Sequence, residues 1–251
     1  MPNIDRDGVS IYYEAHGQGP AVLLSHGYGA TSAMWEGQIT ALAGSHRLIT
    51  WDMRGHGATD SPDDQALYTE QATVDDMAAI LDAEGVEQAI VGGLSLGGYM
   101  SLAFNLTYPQ RVSALMLFDT GPGYNNPKAR EEWNGTAIAR AEQFEQDGLD
   151  SLGRGAEVQV SRHRSAAGLA KAARGMLTQV DARVIQSLDA IAVPTLVLVG
   201  EKDRPFLAAT DYMQAKIPGA KKVVIDDAGH AANIHQPEAF NQAVREYLDS
   251  L

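Results

Sequence analysis

Apolar runs alternate with amphipathic segments along the first half of the chain. The runs typical of buried strands are VSIYYE at 9–14, AVLLSH at 21–26, RLITWD at 47–52, QAIVGG at 88–93 and VSALMLFD at 112–119. The segments with apolar residues at helical spacing are 32–43, 73–85 and LGGYMSLAFNLTYP at 96–109. Strands that alternate with helices at this interval predict a parallel sheet covered by helices on both faces.

The alternation is interrupted between residues 120 and 188, where no segment has the pattern of a strand. The apolar spacing there predicts short helices at 128–145, 166–177 and 181–188. The alternation then resumes with predicted strands at 194–200 and 220–226 and predicted helices at 206–218 and 237–251. We therefore predict one core domain made of residues 1–119 and 189–251, with a helical insertion over 120–188.

Composition and charge narrow the possible partners. The 251 residues are 45% apolar and 20% charged, which is typical of a globular protein. The net charge of −13 argues against binding to nucleic acid or to an anionic membrane surface, because both require a basic face. The polar N-terminal residues carry no targeting segment, and the longest nearly apolar run, 89–104, is too short to span a membrane. We therefore expect a cytoplasmic protein.

The sequence carries no motif for a metal or a cofactor. The absence of cysteine excludes disulfides, thiolate nucleophiles and Cys-ligated zinc. No P-loop and no dinucleotide-binding motif occurs, and His230 and His235 are not part of an H-E-x-x-H helix. We therefore expect neither a cofactor nor a metal ion.

The segment IVGGLSLGGYM, residues 90–100, surrounds one serine with glycines at the join of a predicted strand and a predicted helix. A strand that enters a helix through a very tight turn needs φ > 0 at the middle residue, here Ser95, and this is strained for serine. The residues two before and two after it must be small because the strand and the helix nearly touch. Gly93 and Gly97 meet that need. The segment therefore predicts a sharp turn that lifts Ser95 above the edge of the sheet.

This G-x-S-x-G pattern, GLSLG here, resembles the nucleophile elbow of the α/β-hydrolase family. The resemblance extends over nearly the whole chain, and the insertion is its least diagnostic part. It implies an α/β fold with a mostly parallel eight-stranded sheet flanked by helices. It also implies that residues 120–188 form a small helical lid, inserted after the sixth strand, over Ser95.

The partners of a nucleophilic serine follow it in a fixed chain order in this family, first the acid and then the histidine. Asp203 follows the predicted strand LVLVG and His230 follows VVIDD, so the resemblance implies that these two residues are the acid and the base. Asp119, at the end of LMLFD, is the competing acid, because some relatives hold the acid at that position. His235 is the competing histidine and has the position of an ordinary helix-entry residue.

Acyl transfer also needs donors for the oxyanion of the tetrahedral intermediate. Leu96 is the first residue of the helix, and its backbone N–H is one expected donor. The loop HGYGA resembles the His-Gly loop of the family, which implies that the Tyr28 backbone N–H is the second. We expect His26 to brace this loop, and Arg54 and His56 to form a structural turn.

The insertion supplies candidates for a substrate pocket, namely Tyr124, Trp133, Ile138 and Met176. The alternative is that such apolar residues simply pack the lid onto the core. The segment SRHRS at 161–165 is a small basic group in an acidic protein. We expect it to form a solvated face, with attraction of a carboxylated substrate as the alternative.

These residues together predict a serine hydrolase that cleaves a small to medium carboxylic ester or lactone through an acyl-enzyme on Ser95. Haloalkane dehalogenases and epoxide hydrolases carry aspartate at the elbow, so the serine argues against both. A carbon–carbon bond hydrolase and a cofactor-free perhydrolase or haloperoxidase would use the same three residues and stay open. A ligand receptor without catalytic activity is the alternative from another class of function.

Overall fold

An eight-stranded sheet forms the centre of the computed structural model, which describes residues 3–251. Its strands are β1 (Asn3–Arg6), β2 (Val9–His16), β3 (Ala21–Ser25), β4 (Arg47–Trp51), β5 (Ala89–Leu94), β6 (Val112–Phe118), β7 (Thr195–Gly200) and β8 (Lys221–Ile225). They lie in the order β1-β2-β4-β3-β5-β6-β7-β8. β2 pairs antiparallel with both β1 and β4, and all other neighbours are parallel. The predicted mostly parallel sheet is thereby confirmed.

The connections between the parallel strands are helical. The helices are α1 (Glu36–Leu42), α2 (Glu70–Ala83), α3 (Leu96–Thr107), α4 (Pro127–Asp147), α5 (Ala156–Gln159), α6 (Ala166–Ala172), α7 (Arg183–Gln186), α8 (Arg204–Lys216), α9 (Ala232–His235) and α10 (Pro237–Leu248). A π-helical turn, Ala173–Leu177, continues α6. Helices α4 to α7 lie between β6 and β7, so the expected helical insertion after the sixth strand is present. None of the helices in 3–251 is both long enough and apolar enough to cross a membrane.

The core has two parts because successive residues of a strand point to opposite faces of the sheet. On β3, Leu23 packs into one part, and Val22 and Leu24 pack into the other. Residues of α2, α3 and α8 cover the first face, and residues of α1 and α10 cover the second. Trp35 and Met100 are fully buried in these two clusters and are core residues.

Some elements differ from the predicted ones. Strand β1 was not expected, because its residues are half-exposed and exposed in alternation and two of its four residues are charged. The segment 32–43 begins with a 3-10 turn, Ser32–Trp35, before α1. In the insertion, regular α-helix in the predicted segment 181–188 is limited to α7.

The turn at Ser95 has the geometry that its neighbouring glycines predict. Ser95 lies between β5 and α3 with φ 53° and ψ −113°. A methyl group added at Gly97 would overlap the carbonyl oxygen of Ser25 and lie 2.6 Å from its carbonyl carbon. A methyl group at Gly93 would lie 2.6 Å from the Gly97 carbonyl carbon. Strands β3 and β5 and helix α3 therefore touch through their backbones, which only glycine allows.

Replacing Gly97 with alanine should destabilise the protein, because the added methyl group meets backbone atoms that cannot move aside. Overpacking of this kind typically costs about 1–3 kcal/mol, and we expect a loss of about 2 kcal/mol or more in the free energy of unfolding. Urea denaturation measures this change. Gly37→Ala in α1 is the matched control, since no atom lies within 4 Å of the added methyl group there. Equal stability of the two variants would contradict the close contact.

Candidate active site

The sheet brings together residues that are far apart in sequence. Ser95 directly follows β5, and Asp203 and His230 lie in the loops that follow β7 and β8. Because parallel strands present their carboxyl ends at one edge, these loops converge there, where open α/β sheets bind ligands. The candidate site is therefore built by the sheet, with the insertion between β6 and β7 rising from the same edge.

Asp203 and His230 form a direct hydrogen bond. His230 Nδ1 lies 2.8 Å from Asp203 Oδ2. Because an ionised carboxylate only accepts hydrogen bonds, Nδ1 is the donor and Nε2 is left for another partner. Asp203 is 6% exposed, whereas one-third of the His230 side chain is exposed. The Phe206 ring stacks on the His230 ring with 5.1 Å between the ring centroids. The carboxylate and Phe206 together fix the orientation of this imidazole.

The charges around His230 favour its protonated form. Burial opposes the charge, but the hydrogen bond and the negative charge of Asp203 outweigh this effect and raise the pKa of His230 above its ordinary value. The charge of Glu157 acts in the same direction. His230 is therefore a stronger base than an exposed histidine.

Asp119, the competing acid, is a different kind of carboxyl group. It is fully buried at the end of β6, in a left-handed conformation with φ 44°. Its Oδ1 accepts the Gly200 N–H at 2.7 Å, and Oδ2 has no hydrogen-bond partner within residues 3–251. Burial raises the pKa of Asp119 to about 8, and the charge of Asp203 acts in the same direction, so this carboxyl is mostly neutral at pH 7. The His230 Nδ1–H donates its hydrogen bond to Asp203 and not to Asp119.

His235, the competing histidine, supports the loop that carries His230. It lies at the end of α9, and its Nδ1 accepts the backbone N–H of Gly229 at 3.1 Å. This backbone contact positions Gly229, the residue next to His230.

The two expected oxyanion donors lie beside Ser95. A methyl group on Gly27 would lie 3.5 Å from the Ser95 Cβ, so the loop that carries Tyr28 packs against the elbow. Leu96 is the first residue of α3, where the helix dipole favours negative charge. In the part of the chain that the structure describes, neither the Tyr28 N–H nor the Leu96 N–H donates a hydrogen bond. Both donors are therefore available to a bound group.

Two cavities meet at Ser95. The first, called here the apolar cavity, has a volume of about 360 Å³ and is lined by Leu96, Tyr124, Trp133 and Met176 together with Ser95. This volume lies within the range of about 300–1,000 Å³ that is usual for small-molecule sites. The predicted pocket residues Tyr124, Trp133 and Met176 are thus found in one cavity with Ser95.

The second cavity, called here the histidine-side cavity, has a volume of about 510 Å³. It shares Ser95 and Trp133 with the apolar cavity and is also lined by Tyr28, Arg140 and His230. Its lining is therefore more polar than that of the apolar cavity. Ser95 and His230 thus face a common space, although they are far apart in the sequence.

The prediction for Ile138 is wrong. Ile138 is 39% exposed and lines neither cavity. Helix α4 turns its Ala137, Ala141 and Phe144 side inward, and Ile138 lies one residue, or about 100°, further around the helix. Whether Ile138 lines a cavity depends on which face of α4 packs inward, and the positions of apolar residues in the sequence do not reveal this.

Sequence reasoning missed the contribution of α8 to the apolar cavity. Pro205, Phe206, Ala209 and Tyr212 all line it. The signal was present, because Pro205 and Phe206 come within three residues of Asp203. Ala209 and Tyr212 continue the face of Phe206 at a spacing of three residues. A loop that carries a candidate acid therefore also indicates which face of the next helix meets the ligand.

Comparisons with known proteins agree with this architecture. The family described as the alpha/beta hydrolase family matches residues 22–243. The chain is 32% identical over 268 residues to a Bacillus subtilis (strain 168) protein provisionally named 2-succinyl-6-hydroxy-2,4-cyclohexadiene-1-carboxylate synthase, with 98% of this chain and 97% of that protein covered. It is 30% identical over 270 residues to 3-oxoadipate enol-lactonase 1 of Acinetobacter baylyi, with 98% and 96% covered.

A solved structure has the same fold over its full length. The thermophilic esterase from Thermogutta terrifontis matches with a TM-score of 0.86 at 30% identity, covering 100% of this chain and 99% of that chain. The family match spans the elbow, the loop of Asp203 and the loop of His230. The family resemblance inferred from the GLSLG segment is thus confirmed, and the chain belongs to the alpha/beta hydrolase family as a hydrolase that acts on ester bonds.

Proposed function

We propose that the chain cleaves a small to medium carboxylic ester or lactone by acyl transfer to Ser95, with His230 as the base and Asp203 as its orienting acid. The observation that carries this proposal is the Asp203–His230 hydrogen bond at a cavity that Ser95 also lines. A serine hydroxyl is a poor nucleophile unless an adjacent base takes its proton. The left-handed turn at Ser95, which raises the side chain above the sheet, supports the same role.

The first step is attack on the substrate carbonyl. The Ser95 Oγ forms a bond to the carbonyl carbon while His230 Nε2 takes the hydroxyl proton, and the carbonyl oxygen becomes an oxyanion. The negative charge of Asp203 stabilises the imidazolium. The N–H groups of Tyr28 and Leu96 receive the oxyanion, and a single donor of this kind is typically worth about 3–4 kcal/mol.

The second step releases the products. His230 gives its proton to the leaving-group oxygen, the C–O bond breaks, and the acyl group stays on Ser95. His230 then takes a proton from water, the resulting hydroxide attacks the acyl carbon, and the acid leaves as Ser95 regains its proton. Atoms and charges balance with water as the only co-reactant.

The position of His230 supports a separate cavity for each half of the proposed substrate. The leaving-group oxygen must face the proton donor, so the leaving group enters the histidine-side cavity. The acyl group then occupies the apolar cavity, where Trp133 and Met176 bury it. In a lactone the two halves are one ring that spans both cavities.

The names of the relatives favour ester or lactone cleavage among the reactions that would use these residues. A lactonase and an esterase each match the chain over nearly its whole length. Carbon–carbon bond hydrolysis and perhydrolysis would begin at the same serine and are the second candidates. A receptor without catalytic activity would have no need for the aligned Asp203–His230 pair.

Arg140 gives the histidine-side cavity a positive charge. Its Nη1 donates to the neutral Gln143 Oε1 at 3.1 Å, and the guanidinium lies 5.0 Å from the centre of the Phe144 ring. Within 3–251 no carboxylate forms an ion pair with it. Because the protein as a whole is negative, this side chain would attract a carboxylate on the leaving group only at close range.

Replacing Ser95 with alanine should lower kcat by about 10⁴–10⁶, because the nucleophile is lost. The measurement is release of p-nitrophenol from p-nitrophenyl acetate, with a burst of about one equivalent expected for the unaltered protein. Ser113→Ala, on the exposed position of β6, is the matched control and should keep full activity. Turnover by the Ser95 variant at the normal rate would reject the acyl-enzyme.

The pH profile of kcat/KM should fall on the acid side with a midpoint above 6.5, because the pKa of His230 is raised and only the neutral imidazole is a base. Asp203→Asn removes the charge that raises this pKa, so the midpoint should move to lower pH while kcat falls by about 10⁴.

Asp119→Asn is the control for this pair of carboxyl groups. An asparagine keeps an oxygen for the Gly200 N–H and is neutral, as Asp119 mostly is at pH 7, so kcat should stay within about one order of magnitude of the original. A larger loss for Asp119→Asn than for Asp203→Asn would transfer the role of the acid to Asp119.

Arg140→Gln should weaken selection for a charged leaving group. We expect the ratio of kcat/KM for 4-carboxyphenyl acetate to that for 4-carbamoylphenyl acetate to fall by about tenfold, mainly through KM, because one charge-assisted contact is lost. Lys128→Gln, an exposed change of equal charge on the same helix, is the control. An unchanged ratio in Arg140→Gln would remove the carboxylate from the proposed substrate.

A further inference from the structure

The segment Ser161–Arg164 of the insertion docks onto two loops of the core. The expected solvated face is present only in part, because Arg162 and Arg164 are exposed whereas Ser161 is buried and His163 is half-buried. Arg164 is exposed, yet its guanidinium donates to the backbone carbonyls of Gly57 and Ala58. The sequence shows the charges of this segment, but it does not show the backbone carbonyls to which the segment donates.

Both ring nitrogens of His163 are hydrogen-bonded to backbone atoms. Nε2 lies 2.9 Å from the carbonyl oxygen of Gly29, and Nδ1 lies 3.2 Å from the backbone nitrogen of Gly57. Since a carbonyl only accepts and an N–H only donates, the ring carries its proton on Nε2 and is neutral. Burial lowers the pKa of His163 and outweighs the opposing effects of the Gly29 hydrogen bond and the charge of Asp52. The lowered pKa favours the neutral ring.

Three imidazoles hold three consecutive peptide groups of the loop that contains Tyr28. His26 Nδ1 donates to the Gly27 carbonyl at 2.7 Å. His56 Nε2 accepts the Gly29 N–H at 3.2 Å, and His163 Nε2 donates to the Gly29 carbonyl. These contacts fix the peptide groups that join residues 27 to 28, 28 to 29 and 29 to 30, in that order.

Two hydrogen bonds in sequence connect His163 to the peptide group of the candidate oxyanion donor. The peptide group that it holds ends in the Ala30 N–H, which donates to the Gly27 carbonyl at 3.0 Å. The Gly27 carbonyl and the Tyr28 N–H belong to one planar peptide group. The orientation of the Tyr28 N–H therefore depends on His26 directly and on His163 through Ala30.

We propose that His163 is a positioning residue, supplied by the insertion, which holds the Tyr28 N–H in the direction that receives the oxyanion. This inference rests on the proposed role of Tyr28 in acyl transfer. Two other contacts join the same parts of the chain, since Thr31 Oγ1 donates to Ser161 Oγ at 3.2 Å and the Tyr28 hydroxyl donates to the Leu169 carbonyl at 2.8 Å.

His163→Ala tests the proposal, because loss of a positioning contact should lower kcat and leave KM nearly unchanged. We expect kcat to fall by about 10- to 100-fold, less than for complete loss of a donor, with KM unchanged to within about threefold. A trifluoromethyl ketone that adds to Ser95 forms the same oxyanion, so its inhibition constant should rise by the same factor as kcat falls. The inhibition constant of a simple alcohol product, which forms no oxyanion, should not change.

Two further variants separate positioning from general damage. His163→Gln offers one donor and one acceptor and should restore most of kcat, whereas His163→Phe keeps a ring without either and should behave like the alanine variant. Arg162→Gln is the matched control and should match the original protein. Within residues 3–251, Arg162 donates only to the nearby carbonyls of Gln159 and Ser161.

Two results would overturn the proposal. One is a kcat for His163→Ala and His163→Phe within about threefold of the original. The other is a loss of kcat without a matching loss of affinity for the trifluoromethyl ketone. Failure of the proposed function itself would look different, because the unaltered protein would then show neither a burst nor inhibition by the ketone.

Discussion

Backbone contact between β3, β5 and α3 is the constraint on which the candidate site depends. Gly93 and Gly97 allow the strand, the helix and Ser25 to touch without intervening side chains. A serine in a left-handed conformation costs of order 1–3 kcal/mol, and it persists only where the surroundings leave no alternative. The same contact brings Gly27, and with it the loop of Tyr28, against the Ser95 side chain. One packing arrangement therefore positions both the proposed nucleophile and a proposed oxyanion donor.

Sequence patterns predicted the parts of the site that follow directly from the order of strands. Ser95, Asp203 and His230 each come just after a buried strand, and a parallel sheet gathers such positions at one edge. The polar edge strand β1 was missed, because its pattern carries no apolar face. The orientation of Ile138 depends on how α4 packs. The role of His163 depends on backbone carbonyls, which are the same for every residue type and leave no trace in the sequence.

The pKa values of the histidines in this chain shift in opposite directions, according to the group that each imidazole contacts. His230 faces the carboxylate of Asp203, and its pKa is raised although burial opposes this. The histidines around the Tyr28 loop face backbone groups, and burial lowers the pKa of His26 to about 4 and that of His56 well below its ordinary value. Histidine is thus the proposed proton acceptor at position 230, whereas His26 and His56 are neutral and hydrogen-bond to the backbone.

The docking of Ser161–Arg164 also bears on how such proteins diversify. An insertion that only covered a pocket could be exchanged between relatives as a separate module, and a new specificity would follow. Here the insertion contributes an imidazole to the framework of a core loop. A transplanted insertion without a histidine at that point would bring its own pocket and leave the recipient's loop unsupported. On the proposed roles, the segment that would set specificity also supports a loop of the catalytic site.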